Sequence, residues 1–345
     1  MYTQENVKLL GGATLTGLAQ GYCSDAPLVG QYIAPVVSVE CRTGAVIRFG
    51  KEAFATQDTR RAYAAKVATV SSKFSADTYT LESNALAYAI PIEVLEESNC
   101  LSCLNQSAID LRQIETNNLV ERINRGHELN VVNLVTAAST YEASNYGLTI
   151  TGIVPGTNLA WDAAGSTPIR DMLALQSITR RAAGCRFNAI VLGSAVYEAL
   201  LTHPDVIGRI QFTTSDSVTA EILAQYFNVK SVMVADAVQL ADNGDLVSIF
   251  PENAILAFYS PSPGQAAVSL TPNASYTRAT PASFYTYMKK GGFQVSPEKY
   301  FDLADNGDSA GVVRAVVSAD YSVQAVSLGL TNKVNSAVYV ANVFG

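Results

Sequence analysis

The chain has 345 residues, of which 48% are hydrophobic and only 15% charged; a single hydrophobic core stops growing at about 250–300 residues, so one small domain is excluded and two packed regions or an elongated subunit are expected. An average soluble domain is about 25% charged, so this chain carries too little charge to coat an isolated surface, and neighbouring copies are expected to cover much of it. With 23 basic against 30 acidic residues the net charge is −7, and no Lys/Arg cluster is longer than a pair, which removes the counterion-release term behind tight DNA binding.

The apolar runs, such as Ser248 to Tyr259, fall well short of the roughly 20 residues of a spanning helix, and the N-terminus has no basic region followed by an apolar core. Neither a membrane nor a secreted protein is expected. Five cysteines without an export signal fit reduced thiols in a cytoplasm, packed as small hydrophobes.

In chain order, residues 1–36 combine Gly11, Gly12, Gly17, Gly21 and Gly30 with Pro27 and Pro35 and keep no period, the pattern of an arm that needs a neighbour to order it. Val37, Val39 and Cys41 then alternate with polar residues, and Thr43-Gly44 supplies a turn before Ala45 to Phe49, as in a two-stranded ribbon. The pattern lapses over residues 51–76 and returns at Thr78 to Ile92, giving a long hairpin-like protrusion. Its second strand changes parity between Leu81 and Leu86, which demands a bulge or strong twist. So long a ribbon has little core of its own and is expected to lie on another subunit.

Ser107 and Asp110 resemble a capping box, and Leu119/Val120, Ile123, His127, Val131 and Leu134/Val135 recur at helical spacing, predicting a spine helix over residues 107–137, about 45 Å long at 1.5 Å per residue. After a Gly/Thr/Asn-rich connection, Pro168 opens a helix running to Gly184. Ala189 to Leu192 reads as a buried strand, Ala195 to Thr202 and Ala220 to Phe227 as helices, and Ser231 to Ala235 and Ile249 to Tyr259 as strands. This is a compact α/β region. The β-branched run from Val312 to Ala325 ends the chain in sheet.

The chemical motifs are weak. Cys100 and Cys103 form a CxxC, but zinc needs four ligands and no second pair accompanies it; a redox role remains a minor alternative to packed thiols. Gly44 to Lys51 resembles a phosphate loop but has one residue too many between its glycines, and Glu52 replaces the magnesium-binding hydroxyl, so nucleotide binding is rejected. The repeated Ala-Asp-Asn-Gly-Asp at 241–245 and 304–308 lacks the remaining ligands of a calcium loop and reads as Asn-Gly turns. His127 lies on the apolar stripe of the spine and His203 in a His-Pro-Asp turn, and nothing raises the odds of a catalytic triad. No catalytic, metal or cofactor site is expected.

Local sequence carries a resemblance. Ala34-Pro35-Val36-Val37, Thr43-Gly44, Phe49, Lys51-Glu52, Phe54, Asp58-Thr59-Arg60-Arg61-Ala62, Asp77-Thr78-Tyr79 and Ala85-Leu86 resemble the E-loop region of phage capsid proteins. Trp161-Asp162, Pro168-Ile169, Asn188 to Gly193 with Val196-Tyr197 and Leu200, His203-Pro204-Asp205, Arg209-Ile210, Leu223 to Val234 and Pro261-Ser262-Pro263-Gly264 continue it in order from about residue 20 to the end. The chain thus resembles the major capsid proteins of tailed bacteriophages, with the Hong Kong 97-type fold.

The resemblance implies an α+β fold with residues 1–36 as N-arm, 37–96 as E-loop with flanking P-domain strands, 97–165 as spine helix and P-domain, 166–305 as A-domain, and 306–345 as returning P-domain and A-domain strands. It implies a non-enzymatic subunit that assembles as hexamers and pentamers, in the host cytoplasm, into the icosahedral head of a virion. That head would enclose double-stranded DNA without sequence-specific binding and would expand during maturation. Arg42, Phe49, Lys51, Phe54, Arg60 and Arg61 would contact neighbouring subunits, the alternative being a solvated loop. With no long helix before the N-arm, a separate scaffolding protein is expected, together with a portal and, as an option, a decoration protein. Lys51, Lys66 and Lys73 are candidates for the subunit crosslink of some relatives, but loop lysines are ordinarily solvated. The rival readings are an encapsulin-like shell, a phage tail or adhesion protein, and a redox enzyme built on Cys100 and Cys103.

Overall fold

The computed structural model describes residues 19, 28–49, 55–61, 63, 66–67, 69, 74–95, 111–147, 160–163, 165–210, 218–260, 283–301, 311–326 and 333–344. Its helices are α1 (Gly30–Ile33), α2 (Leu111–Thr136), α3 (Pro168–Ala183), α4 (Ser194–Thr202), α5 (Pro204–Ile210) and α6 (Ala220–Tyr226). Its strands are β1 (Val36–Val39), β2 (Thr43–Phe49), β3 (Phe74–Thr80), β4 (Glu82–Pro91), β5 (Ala189–Gly193), β6 (Ser231–Ala235), β7 (Val238–Leu240), β8 (Leu246–Ser248), β9 (Ala254–Phe258), β10 (Phe284–Lys289), β11 (Gln294–Val295), β12 (Lys299–Phe301), β13 (Val312–Ala325) and β14 (Val338–Ala341).

The 14-residue β13 organises a six-stranded sheet. One edge pairs with β4 from Val312↔Pro91 to Tyr321↔Glu82. The other edge takes β12, β11 and β10 in turn, and β1 closes the sheet by pairing in parallel with β10. Val313, Ala315, Val317, Ala319 and Tyr321 alternate onto one face and are buried with Tyr88 and Ile90 against Leu119, Val120 and Ile123 of α2. The period-2 pattern of the strand meets the helical stripe of α2 there.

Helix α2 spans 26 residues, about 39 Å at 1.5 Å per residue. Its first half covers the large sheet, while Val131, Val132 and Val135 enter a second core with Tyr141, Phe250, Phe258 and Phe284. This second core lies on one face of a four-stranded sheet ordered β14, β9, β5, β6. The other face of that sheet is covered by Trp161, Met172, Leu175, Val196, Leu200, Leu223 and Phe227. Both faces are therefore buried, which is why β5 and β9 are continuous apolar runs, not alternating ones. Pro168 occupies the first turn of α3, and Gly184 ends the helix at φ 75° with its N–H on Arg180 O.

Several expectations are corrected. Thr43-Gly44 is not a turn: β2 begins there and pairs with β3, while β1 pairs with β10 some 250 residues away, a long-range partner that no local pattern announces. The predicted strand 78–92 breaks at Leu81, whose N–H bonds Arg42 O. There the chain changes partner from β2 to β13, which accounts for the parity switch. The described part of the spine begins at Leu111; the capping box lies outside the described residues, as do Cys100, Cys103 and residues 304–308. The strand expected over 249–259 is confined to β9, with Ile249 and Phe250 buried in the preceding turn.

Residues 28–35 depart furthest from the arm reading. Val29, Tyr32, Ile33 and Ala34 are buried in their own subunit, held by a carboxylate inside the core. Glu128 of α2 accepts the N–H groups of Val29 at 3.1 Å and Gly30 at 2.5 Å. Thr286 Oγ1 donates to Ala34 O at 3.0 Å and lies 2.8 Å from His127 Nε2, so it takes the imidazole proton. Burial pushes the Glu128 carboxyl up to about 7, against the pull of the two N–H groups, and the His127 imidazole down to about 4.

Gly30 is needed for this approach, because a Cβ there would lie 2.6 Å from Glu128 Oε2. Gly30→Ala is expected to lower the unfolding free energy by about 1–3 kcal/mol through overpacking, measured by denaturant titration. The pH dependence separates the two buried groups. Stability from the raised Glu128 is fully present below its ordinary 4.5 and is lost as pH rises through about 7. Stability from the lowered His127 is fully present above its ordinary 6.5 and is lost as pH falls through about 4. Glu128→Gln, whose amide NH2 must face one of the two N–H groups and so gives up one acceptor at every pH, should remove this dependence: between pH 5 and pH 8 the parent should lose about 2–3 kcal/mol more than the variant, read from unfolding curves at both values.

Candidate functional site

A two-stranded ribbon leaves the large sheet. β2 and β3 pair from Thr43↔Thr80 to Phe49↔Phe74, and among the described residues neither strand pairs with a third. Its base is built into the subunit. The Tyr79 ring stacks on Tyr287 with centroids 4.7 Å apart and planes 7° from parallel. Tyr79 and Leu81 are buried there with Val37, Val39, Tyr285 and Val326. Gly44 allows the stack, since a Cβ there would lie 2.5 Å from the Tyr79 ring. Gln324 Nε2 donates to Thr78 O at 3.2 Å, and Arg42 lies 3.7 Å from Asp320 of β13.

Beyond the base, residues 55–61, Tyr63, Lys66, Val67 and Thr69 are all exposed. Tyr63 is fully exposed and Val67 63% exposed. Arg60, Arg61 and Lys66 outweigh Asp58, whose carboxylate accepts the Arg60 N–H at 3.0 Å. The described part of the tip is thus a basic, partly apolar surface carried on a two-stranded ladder. Such a surface can bind a partner by burying Tyr63 and Val67, but it offers no enclosed volume for chemistry.

The six residues singled out in the sequence do not converge. Arg42 is at the base, turned toward its own Asp320. Phe49 ends β2 opposite Phe74. Arg60 and Arg61 are exposed in the tip, and Lys51 and Phe54 lie outside the described residues. The sequence reading missed Tyr63 and Val67, whose alanine-rich surroundings look featureless; its Asn-Gly hairpin turn at 241–245 is present, but the two strands flanking it, a second ribbon, were not read. β7 and β8 form an isolated pair on which Val238, Leu240, Leu246 and Val247 are all exposed. The alternation of Val238-Gln239-Leu240 beside an Asn-Gly turn was its only signal.

One arrangement resembles catalytic machinery. Ser166 Oγ lies 2.7 Å from His203 Nε2, and both residues are buried. The bonding sets the tautomer: His203 Nδ1 accepts the Asp205 N–H at 3.1 Å, so Nε2 carries the proton and donates to Ser166, whose hydroxyl donates to Ala163 O at 2.8 Å. A general base needs a free lone pair facing the serine, and here that lone pair is spent on the α5 backbone. His203 is therefore the N-cap of α5, and burial lowers its pKa. Burial pushes the Cys185 thiol up to about 11, away from a reactive thiolate. Among the described residues no group of His, Cys, Asp and Glu could hold a metal ion, and no helix is long and apolar enough to cross a membrane.

No protein-family model matches the chain. A curated relative, the major capsid protein of Burkholderia phage BcepMu, is 29% identical over 278 residues, covering 80% of this chain and 83% of the relative. The chain is a homologue of a phage major capsid protein and has the Hong Kong 97-type capsid fold. Two solved structures agree on that fold. A phage-related protein of Bordetella bronchiseptica superposes with a TM-score of 0.68 at 21% identity, over 96% of each chain. A structure from Mycobacterium phage Adephagia superposes at 0.51 with 10% identity, over 99% of this chain and 98% of its own.

Within this capsid-fold subunit the base and tip of the ribbon should respond differently to truncation. Tyr79→Ala is expected to cost about 3 kcal/mol or more, because a buried ring is lost. Tyr63→Ala should leave the unfolding free energy within about 0.5 kcal/mol of the parent. Thermal unfolding of the two purified variants checks both.

Proposed function

We propose that this chain is the major head protein of a tailed phage, a non-enzymatic subunit that assembles as hexamers and pentamers into the icosahedral shell around double-stranded DNA. In this reading β2, β3 and the segment between them form the E-loop, which lies across the adjacent subunit. The long α2 is the spine of the P-domain, and the four-stranded sheet with its helices is the A-domain.

The observation that carries the reading is a ribbon anchored by Tyr79 at its base and exposed at the described residues of its tip, in a homologue of a major capsid protein. Apolar area on the tip contributes about 25 cal/mol per Å² only when a partner covers it. Extended contacts of this kind join unlike surfaces of successive copies, and such head-to-tail contacts close into rings. A net charge of −7 suits a wall that confines DNA without gripping it. The named relative is a phage protein, which favours a phage head over an encapsulin-like shell. Arg60, Arg61 and Lys66 are exposed tip cations placed to meet a neighbour, whereas Arg42 pairs with its own Asp320. A separate scaffolding protein and a portal complete the assembly in the host cytoplasm, and a decoration protein is optional.

Electron microscopy of the protein expressed with its neighbouring phage genes tests the proposal. Closed shells of uniform diameter are expected from the full chain, and none from a variant with residues 55–69 replaced by a short Asn-Gly turn. Monomers alone from the full chain would refute it.

A further inference from the structure

The β7–β8 ribbon is a built feature, not a loose loop. Val238 faces Ser248, Gln239 faces Val247 and Leu240 faces Leu246. The turn is closed by Ala241 N–H on Asp245 O at 2.8 Å and by Asn243 Nδ2 on Asp245 Oδ2 at 2.7 Å, with Gly244 at φ 87°. At its base Ala237 and Ile249 are buried and joined by an N–H to carbonyl bond of 2.9 Å. Cross-strand partners share a face, so Val238, Leu240 and Leu246 make one apolar surface. Leu240 and Leu246 are 71% and 70% exposed. An ordered ladder holding two leucines in solvent marks an interaction surface.

Charge identifies its partner. From Ser231 to Asn253 the chain carries Asp236, Asp242, Asp245 and Glu252 and no basic residue, which disfavours nucleic acid and anionic lipid. The opposite composition occurs on α3. Arg170, Leu173, Arg180 and Arg181 are exposed, and their spacing of three, seven and one places them on one side of the helix, away from the buried Met172, Leu175 and Thr179. Leu173 is 46% exposed, and the acid of that segment, Asp171, is buried and accepts from Trp161 Nε1 at 3.0 Å. The subunit thus carries an acidic apolar ribbon and a basic helix face with an exposed leucine, and the exposure of both leaves each uncovered within its own chain.

We infer that the β7–β8 ribbon of one copy docks on the outward side of α3 in the next, Leu240 and Leu246 covering Leu173 while Asp242 and Asp245 meet Arg170 and Arg181. The inference rests on the shell reading and names a second contact within the ring, independent of the longer ribbon. Two unlike surfaces joined head to tail propagate round a closed ring.

The test uses the full chain in four forms: unaltered, Leu240→Ser with Leu246→Ser, Asp242→Lys with Asp245→Lys, and the latter combined with Arg170→Glu and Arg181→Glu. Particle yield is read by electron microscopy and sedimentation, and folding by thermal unfolding. The serine variant should keep the parent's thermal midpoint and the lysine variant, which gives up the Asn243–Asp245 turn bond, should lower it only slightly; both should lose about tenfold or more in particle yield, and the charge-exchanged form should recover most of it at the lysine variant's own midpoint. Parental yield from the serine and lysine variants, or no recovery on exchange, overturns the inference and leaves the shell reading intact. If the unaltered chain forms no particles, the shell reading fails and this inference with it.

Discussion

The stack of Tyr79 on Tyr287 marks the point where this subunit stops covering its own backbone. On the inner side of the stack, chain elements meet others: β13 is paired along both edges, and the four-stranded sheet is buried on both faces. On the outer side, among the described residues, β2 and β3 pair with no third strand, and the described tip residues beyond them are exposed. Isolated two-stranded ribbons are marginal in water, so an extension of this kind is stable in proportion to what lies against it. Those facts together give the subunit a rigid body and an incomplete edge, the combination a shell requires.

The rigid body depends on α2 reaching both cores. Leu119, Val120 and Ile123 fasten it to the large sheet, and Val131, Val132 and Val135 to the four-stranded one. Between them, Glu128 clamps the segment 28–35 through backbone bonds that leave no room for a side chain at Gly30, and His127 holds Thr286, which bonds Ala34 O. A buried carboxylate is costly, and here it holds residues 28–35 against their own subunit.

Much of this was legible in residue patterns, and the failures share one cause. The helical stripe of α2, the proline start and glycine end of α3, and the apolar runs of β5 and β9 are local signals, and the structure follows them. What depended on distant partners did not show. β1 pairs with β10 in parallel, residues 28–35 are held by distant side chains, Glu128 and Thr286, and Gly44 is glycine because of a ring from the other strand, not because of a turn. The parity change between Leu81 and Leu86 did mark a real event, the exchange of one partner strand for another. Candidate contact residues were the least legible of all, since a charged residue turned toward its own subunit, as Arg42 is, reads like one turned outward. The exposed leucines of β7 and β8 gave almost no signal, because three-residue strands are too short for a pattern to stand out.

Amide hydrogen exchange compared between isolated subunits and assembled particles bears most directly on the idea of an incomplete edge. Amides of β4, β13 and α2 should be slow in both states, whereas residues 43–49 and 74–78 should exchange rapidly in the subunit and slow by about a hundredfold or more in the particle. Equal protection of the ribbon in the two states would contradict the account, because the subunit would then be complete on its own.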